Sequence, residues 1–113
     1  MKIVNVSKDR TLAQNALMAD SSLKRIVGLI GKTGLKKDEA LIIRSCNSIH
    51  TFFMRFPIDV LFVDSGNKVV FLRGRLKPWR LTPICWKAKF VIELPAGTIE
   101  ESKTSLGDEI RLQ

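Results

Sequence analysis

The chain's one histidine, His50, opens its most apolar run, His50–Asp64, which reads HTFFMRFPIDVLFVD. An imidazole titrates near neutral pH, so His50 is a candidate general acid, general base or ligand. A lone histidine can equally be a structural hydrogen-bonding group. Asp59 interrupts the same run between Ile58 and Val60, where a carboxylate must find a partner or face water. Arg55, Arg80 and His50 are the partners on offer. Asp59 therefore reads either as half of a buried ion pair or as the group that orients His50 or Arg80 in a site. Glu93 repeats the pattern, ending a second apolar run just before Pro95. Two acids, a histidine and an arginine gathered at one end of a core would suit a polar ligand, and paired carboxylates can also do acid–base work.

Pro78-Trp79-Arg80 adds a rigid turn, a flat aromatic surface and a fork of donors. Arginine matches planar anions such as carboxylate and phosphate. Trp79 can stack on a base or a sugar ring, or it can plug the end of the core. From Ser65 to Ile92 there are seven basic residues and no acid, so the charge lies on one face or loop. Few aromatic residues fall within that stretch, and a strand alternates its side chains between two faces. Specific nucleic-acid recognition is therefore not expected there, only weak nonspecific affinity. Cys46 and Cys85 lack CxxC spacing, and one histidine is too few for a zinc site. No metal and no cofactor is expected. The sequence has no phosphate loop, dinucleotide-binding glycine fingerprint or GxSxG elbow.

These residues need a scaffold. At 113 residues the expectation is one domain, 1–113. A hydrophobic content of 45% is enough for a core and argues against disorder. The formal net charge of +8 favours an anionic ligand or partner, or simply keeps the chain soluble. No stretch approaches the roughly 18 apolar residues of a membrane span, and MKIVNVSKDR does not read as a signal peptide. A cytoplasmic protein with no membrane partner and with reduced thiols is expected.

The elements read as short strands. Lys2–Val6 is β-branched, and Ala40–Arg44 is apolar enough for burial on both faces. Ile58–Asp64 alternates, with Ile58, Val60 and Phe62 on one side and Asp59, Leu61 and Val63 on the other. Ser65-Gly66-Asn67 is a turn that returns the chain as Lys68–Arg75. Leu76–Trp86 is too proline-rich for a central strand and reads as a long loop, where function is often carried. Ala88–Leu94 and Glu109–Leu112 are strands. Ile49–Arg55 reads as strand-like and Ile99–Ser105 as polar and mobile. Asp20-Ser21-Ser22 is a helix cap, which puts one short helix at Ser21–Leu29 and leaves Thr11–Ala19 as a strand. The pattern predicts a mainly β fold, either a β-sandwich or a partly open barrel with one short helix. A small α+β fold is the alternative, should Thr11–Ala19 be helical.

The ordered series SIHTFFMRFPIDVLFVD, L-x-PWR, ELPAGT and GDEI resembles a widespread prokaryotic family, domain of unknown function 192. The resemblance begins near GLIGKTGL and runs to the end of the chain. It implies a mainly β, sandwich-like or jelly-roll-like domain, and no established activity, substrate or cofactor. Relatives often carry an N-terminal signal or lipid anchor, which this chain, starting at its first strand, is expected to lack.

The leading expectation is a binding domain for a polar or anionic ligand. Arg80 would anchor the anion, Trp79 would stack, and His50 with Asp59 would shape the polar end, with Arg55 counted among the ligand-binding residues. The runner-up is a small enzyme with His50 as acid or base and Asp59 or Glu93 as its carboxylate. Nucleic-acid binding through residues 68–89 comes third. His50, Asp59 and Arg80 are expected to share one polar cluster.

Overall fold

A computed structural model of the chain describes residues 1–19, 35–52 and 54–113. In chain order the strands are β1 (Ile3–Asn5), β2 (Arg10–Ala13), β3 (Asn15–Ala19), β4 (Glu39–Arg44), β5 (Ile58–Asp64), β6 (Val69–Leu76), β7 (Ala88–Pro95) and β8 (Ile110–Leu112). Among the described residues the helix is α1, Thr98–Ser102. The strands form two sheets, of order β2-β1-β8 and β3-β4-β7-β5-β6. The fold is mainly β and sandwich-like, and neither sheet closes into a barrel. The expected helix at Ser21–Leu29 lies outside the described residues.

Alternation along β4, β5 and β7 sends their side chains to two faces of the larger sheet. One face meets the smaller sheet, where Ile42, Leu61, Ile92 and Leu94 pack with Ile3 and Leu12. The other carries Ile43, Val60, Phe62 and Val91, covered by Ile49, Met54 and Leu76. β5 is buried along its length except at Asp64, because both of its faces are covered. Its hairpin with β6 is set by Asp64, whose Oδ1 accepts the amides of Gly66 and Lys68, each at 2.9 Å. Asn67 takes the positive φ of 63° that the turn requires.

Three segments depart from the sequence expectation. Thr11–Ala19 is two strands, not one. The amides of Gln14 and Asn15 both donate to the Asp38 carbonyl, and the chain crosses there from the smaller sheet to the larger. β3 then runs parallel to β4, from Asn15 beside Glu39 to Ala19 beside Ile43. Ile49–Arg55 is not a strand. It makes one bridge, His50 to Leu81, because its hydrogen bonds go to a loop instead of a neighbouring strand. Ile99–Ser105 is not a loose polar tail. It begins inside α1, and Ser102 and Thr104 are buried.

Ser102 Oγ donates to the Thr98 carbonyl at 2.7 Å and lies 2.7 Å from Thr104 Oγ1. The fully buried Asn5 donates to Thr104 Oγ1 and to Asp108 Oδ2, both at 3.0 Å. The first strand is thereby tied to the end of the chain. Burial pushes the Asp108 carboxyl up. The Asn5 amide, the Lys8 ammonium and the Ser105 N–H outweigh that and hold it at about 2.

Candidate functional site

The long loop between β6 and β7 is held by one buried threonine. Thr51 is fully enclosed. Its hydroxyl donates to the Lys77 carbonyl at 2.7 Å and accepts the Arg80 amide at 2.8 Å. Its own amide donates to the Arg80 carbonyl, and its carbonyl accepts the Trp79 amide. Thr82 makes a second fastening, accepting the Ile49 amide on its hydroxyl and donating its own amide to the Ile49 carbonyl. Two proline-bearing loops that cannot share a regular ladder are thus joined through threonine side chains.

This clamp fixes an uncommon backbone. Trp79 has φ 63°, the left-handed region that a bulky side chain rarely enters. Such strain persists only where surrounding bonds over-determine it, and it gathers at functional positions. The indole is 57% exposed. It stacks on Phe52 at 5.8 Å between centroids, and Phe52 stacks on His50 at 4.9 Å. His50 Nδ1 accepts the Phe52 amide at 3.3 Å, which leaves Nε2 as the N–H donor of the neutral ring. His50, Phe52 and Trp79 form one aromatic row that ends at solvent.

Arg80 sits beside the row, with a guanidinium nitrogen that donates to the carbonyls of Pro78 and Trp79, each at 3.5 Å. Arg55 is exposed in the neighbouring loop. Of the bases between Ser65 and Ile92, Lys68 pairs with Glu109 and Arg75 with Glu100, while Arg73 lies over the Phe71 ring. Among the described residues, Lys77, Arg80, Lys87 and Lys89 have no acid within ion-pair distance.

The clamp joins the loops that carry His50 and Arg80, but Asp59 does not lie with them. Alternation along β5 turns Asp59 away from Ile58 and Val60, the side on which Ile49 and Met54 pack. Its Oδ1 accepts the amides of Arg75 at 2.8 Å and Gly97 at 3.1 Å, and its Oδ2 accepts that of Ile99 at 2.7 Å. The expected pairing of Asp59 with Arg55, Arg80 or His50 is therefore replaced by three backbone amides. Gly97 can offer its amide there because it takes φ 98°, and a Cβ at that position would stand 3.4 Å from the Arg75 guanidinium.

Glu93 is the other isolated acid. It lies beside Leu41 on one neighbouring strand and Val60 on the other. It is 5% exposed, and its Oε2 is buried with no hydrogen-bond partner. Burial pushes this carboxyl up to about 7. Burial also pushes the Cys46 thiol up; the Ser48 backbone pulls it back, and the charge of Glu93 adds to the rise. Cys46 and Cys85 are free and half-buried. No carboxylate hydrogen bonds to His50 among the described residues. A separate cleft of about 650 Å³ opens between β2 and α1, lined by Arg10, Lys37, Arg75 and Glu101 among others. None of His50, Arg55, Asp59, Trp79, Arg80 and Glu93 lines it, although residues 95–98 of the ELPAGT series do, and Arg75 and Glu100 answer each other within it at 3.3 Å.

The family model of domain of unknown function 192, described as Uncharacterized ACR, matches residues 3–112. The chain belongs to this family. A UPF0127 protein of Pyrococcus horikoshii is 40% identical over 96% of this chain and 96% of its own length. One of Pyrococcus furiosus is 34% identical over 96% and 95%. A protein of unknown function from Novosphingobium aromaticivorans has the same fold, with a TM-score of 0.81 at 18% identity, covering 98% of this chain and 82% of that one. A Sinorhizobium meliloti protein has a TM-score of 0.79 at 19% identity, covering 97% and 89%.

Sequence reasoning gave Thr51 no role. A threonine next to a histidine and ahead of a proline carries no local sign of clamping a loop some 30 residues on. Only the left-handed backbone at Trp79, visible in three dimensions, marks it.

Proposed function

We propose that the protein is a binding module that takes an anionic ligand or partner on the surface of His50, Phe52, Trp79 and Arg80. The observation that carries this reading is the Thr51 clamp. It holds Trp79 at a φ of 63° while leaving the indole 57% exposed. A side chain whose only task was packing would not be held in a costly conformation to face water. A rigid aromatic platform gives contact area at little entropic cost. Arg80 offers a guanidinium that pairs with no acid among the described residues, suited to a carboxylate or phosphate, and Arg55 adds positive charge nearby. His50 contributes Nε2 as a donor at the inner end of the row.

The acid–base reading has less support. Asp59 spends its oxygens on three amides, and Glu93 faces apolar strand neighbours. Among the described residues no carboxylate hydrogen bonds to His50 to orient it.

Trp79 and Trp86 are the two tryptophans of the chain, so intrinsic fluorescence reports this loop directly. Titration with inorganic phosphate, glycerol phosphate, a nucleoside monophosphate and a dicarboxylate tests the proposal. At least one should give a saturable change that Arg80→Ala abolishes. Its salt dependence should be shallow, since few charges are engaged, whereas duplex DNA would give a steep one. A response to none of the four would remove the reading.

A further inference from the structure

The loop that carries Trp79 also exposes Leu81 at 68%, Ile84 at 54% and Trp86 at 81%. Four large apolar side chains within eight residues are more than half exposed, whereas the other exposed ones among the described residues, Met1, Val6, Leu17 and Leu106, lie scattered along the sequence. Isolated exposed apolar residues need no explanation, but a concentration on one short loop marks an interaction surface. Lys77, Arg80, Lys87 and Lys89 lie along and just beyond the same loop, with no acid paired to them among the described residues.

We infer that this loop docks the protein peripherally on an anionic lipid bilayer. The inference rests on the anion-binding surface proposed above and names the anion as a lipid headgroup. The composition of the loop selects the partner. A nucleic acid could stack on Trp79 and Trp86, but it offers nothing to Leu81 and Ile84, which have no π-face. The boundary of a bilayer takes all four, because tryptophan favours the headgroup level and aliphatic groups reach the acyl chains. Lysine and arginine beside inserted apolar residues match the negative surface of a leaflet. Among the described residues no helix is long and apolar enough to cross a membrane, so the contact is made by the loop. The clamps at Thr51 and Thr82 hold the loop in shape before contact, which reduces the ordering that binding would otherwise require.

The test is sedimentation of the full chain with vesicles of phosphatidylcholine alone and of phosphatidylcholine mixed with phosphatidylglycerol. Tryptophan emission is followed in parallel. The protein should pellet with the mixed vesicles and remain in solution with phosphatidylcholine, and its emission should shift to the blue. Trp86→Ser, at a position outside the proposed anion site, should weaken vesicle binding about tenfold, as expected for withdrawing one large ring from the apolar phase. Ile84→Ser should weaken it less. Leu106→Ser alters an apolar residue 64% exposed on a different turn and should change nothing. Undiminished pelleting of Trp86→Ser plus Ile84→Ser would overturn the inference, since it would show adsorption by net charge alone. Failure to pellet with the mixed vesicles would overturn it as well. In that case a saturable response to any of the four anions leaves the anion site standing, and a response to none of them removes both. Binding of a single-stranded oligonucleotide that Trp86→Ser abolishes, without vesicle binding, would reassign the loop to nucleic acid.

Discussion

Asp59 and Glu93 sit almost level on neighbouring strands, since Glu93 faces Val60 across the β5–β7 ladder. Both are buried acids in apolar runs, and by sequence they look alike. They point to opposite faces of one sheet, and their surroundings differ completely. Asp59 receives three backbone N–H groups from the β6 end and the α1 turn. Glu93 keeps an oxygen with no partner. A buried polar group is costly only when unanswered. Asp59 is thus part of the scaffold that shapes the α1 turn, while nothing in the hydrogen-bonding of the fold accounts for Glu93 as an acid. The pair teaches that isolation in an apolar run marks burial and does not by itself mark function.

The largest effect belongs to Asp59. Asp59→Ala leaves three amides without an acceptor, and hydrogen bonds to a charged group are the strong kind. The variant should lose about 4 kcal/mol or more in urea unfolding at neutral pH. A loss below about 1 kcal/mol would mean that water can replace the carboxylate, and the contrast with Glu93 would collapse.

Glu93 should act in the opposite direction. Its carboxyl rises from 4.5 to about 7 on folding. The folded state then holds its proton more tightly than the unfolded chain, so its full contribution is present below pH 4.5. It is lost as the pH climbs through about 7, and beyond that the ionised group costs about 3 kcal/mol. Glu93→Leu should therefore stabilise the protein at pH 8 by up to about 3 kcal/mol, with a much smaller change at pH 4.5. Denaturation at both pH values decides it. A variant less stable at pH 8 than the wild type would point to a structural role for the carboxylate. Asp108 behaves as the reverse case. Held at about 2, it adds stability that is present above its ordinary 3.8 and lost as the pH falls through about 2.

The strands were legible because their signals are local. The uninterrupted apolar residues of β4, the alternation of β5 and the Ser65-Gly66-Asn67 turn all state their structure within a few positions. Alternation even assigned Asp59 and Val60 to different sides. What could not be read was which side the His50 loop would cover, because Ile49 and Met54 reach the face of Val60 through long-range packing. The same limit hid α1. Its turn is stabilised by Asp59, some 40 residues earlier, while Thr98–Ser102 alone looks only polar. Gln14 as a sheet crossing is also non-local, since it depends on the Asp38 carbonyl.

Thr51 extends the comparison to the loop face. Thr51→Val keeps the side-chain volume but removes the hydroxyl that donates to Lys77 and accepts from Arg80. The expected stability loss is about 1.5 kcal/mol, the cost of leaving partly buried backbone groups unanswered. With the clamp weakened, Trp79 should leave its left-handed backbone. Any anion affinity found by fluorescence should then fall further than the stability does. Unchanged affinity in Thr51→Val would separate the clamp from binding.

The smallest effect on stability is expected at Trp86, and for that reason it sharpens the comparison most. Asp59 is a polar group wholly answered within the fold, whereas Trp86 is an apolar group left 81% exposed. If its ring contributes nothing to folding, Trp86→Ser should change the urea midpoint by no more than about 0.5 kcal/mol, the usual range for a surface substitution. Folding offers little return for a tryptophan so exposed, which is what the proposed membrane contact would explain. Removing exposed apolar surface should also leave the variant at least as soluble as the wild type. A loss above about 2 kcal/mol would show that the ring packs against the domain in solution, and the apolar loop would have to be counted as core. A neutral substitution leaves the two regions distinct: a sandwich whose buried acids are explained by folding or resisted by it, and a loop tip whose Trp86 ring folding does not use.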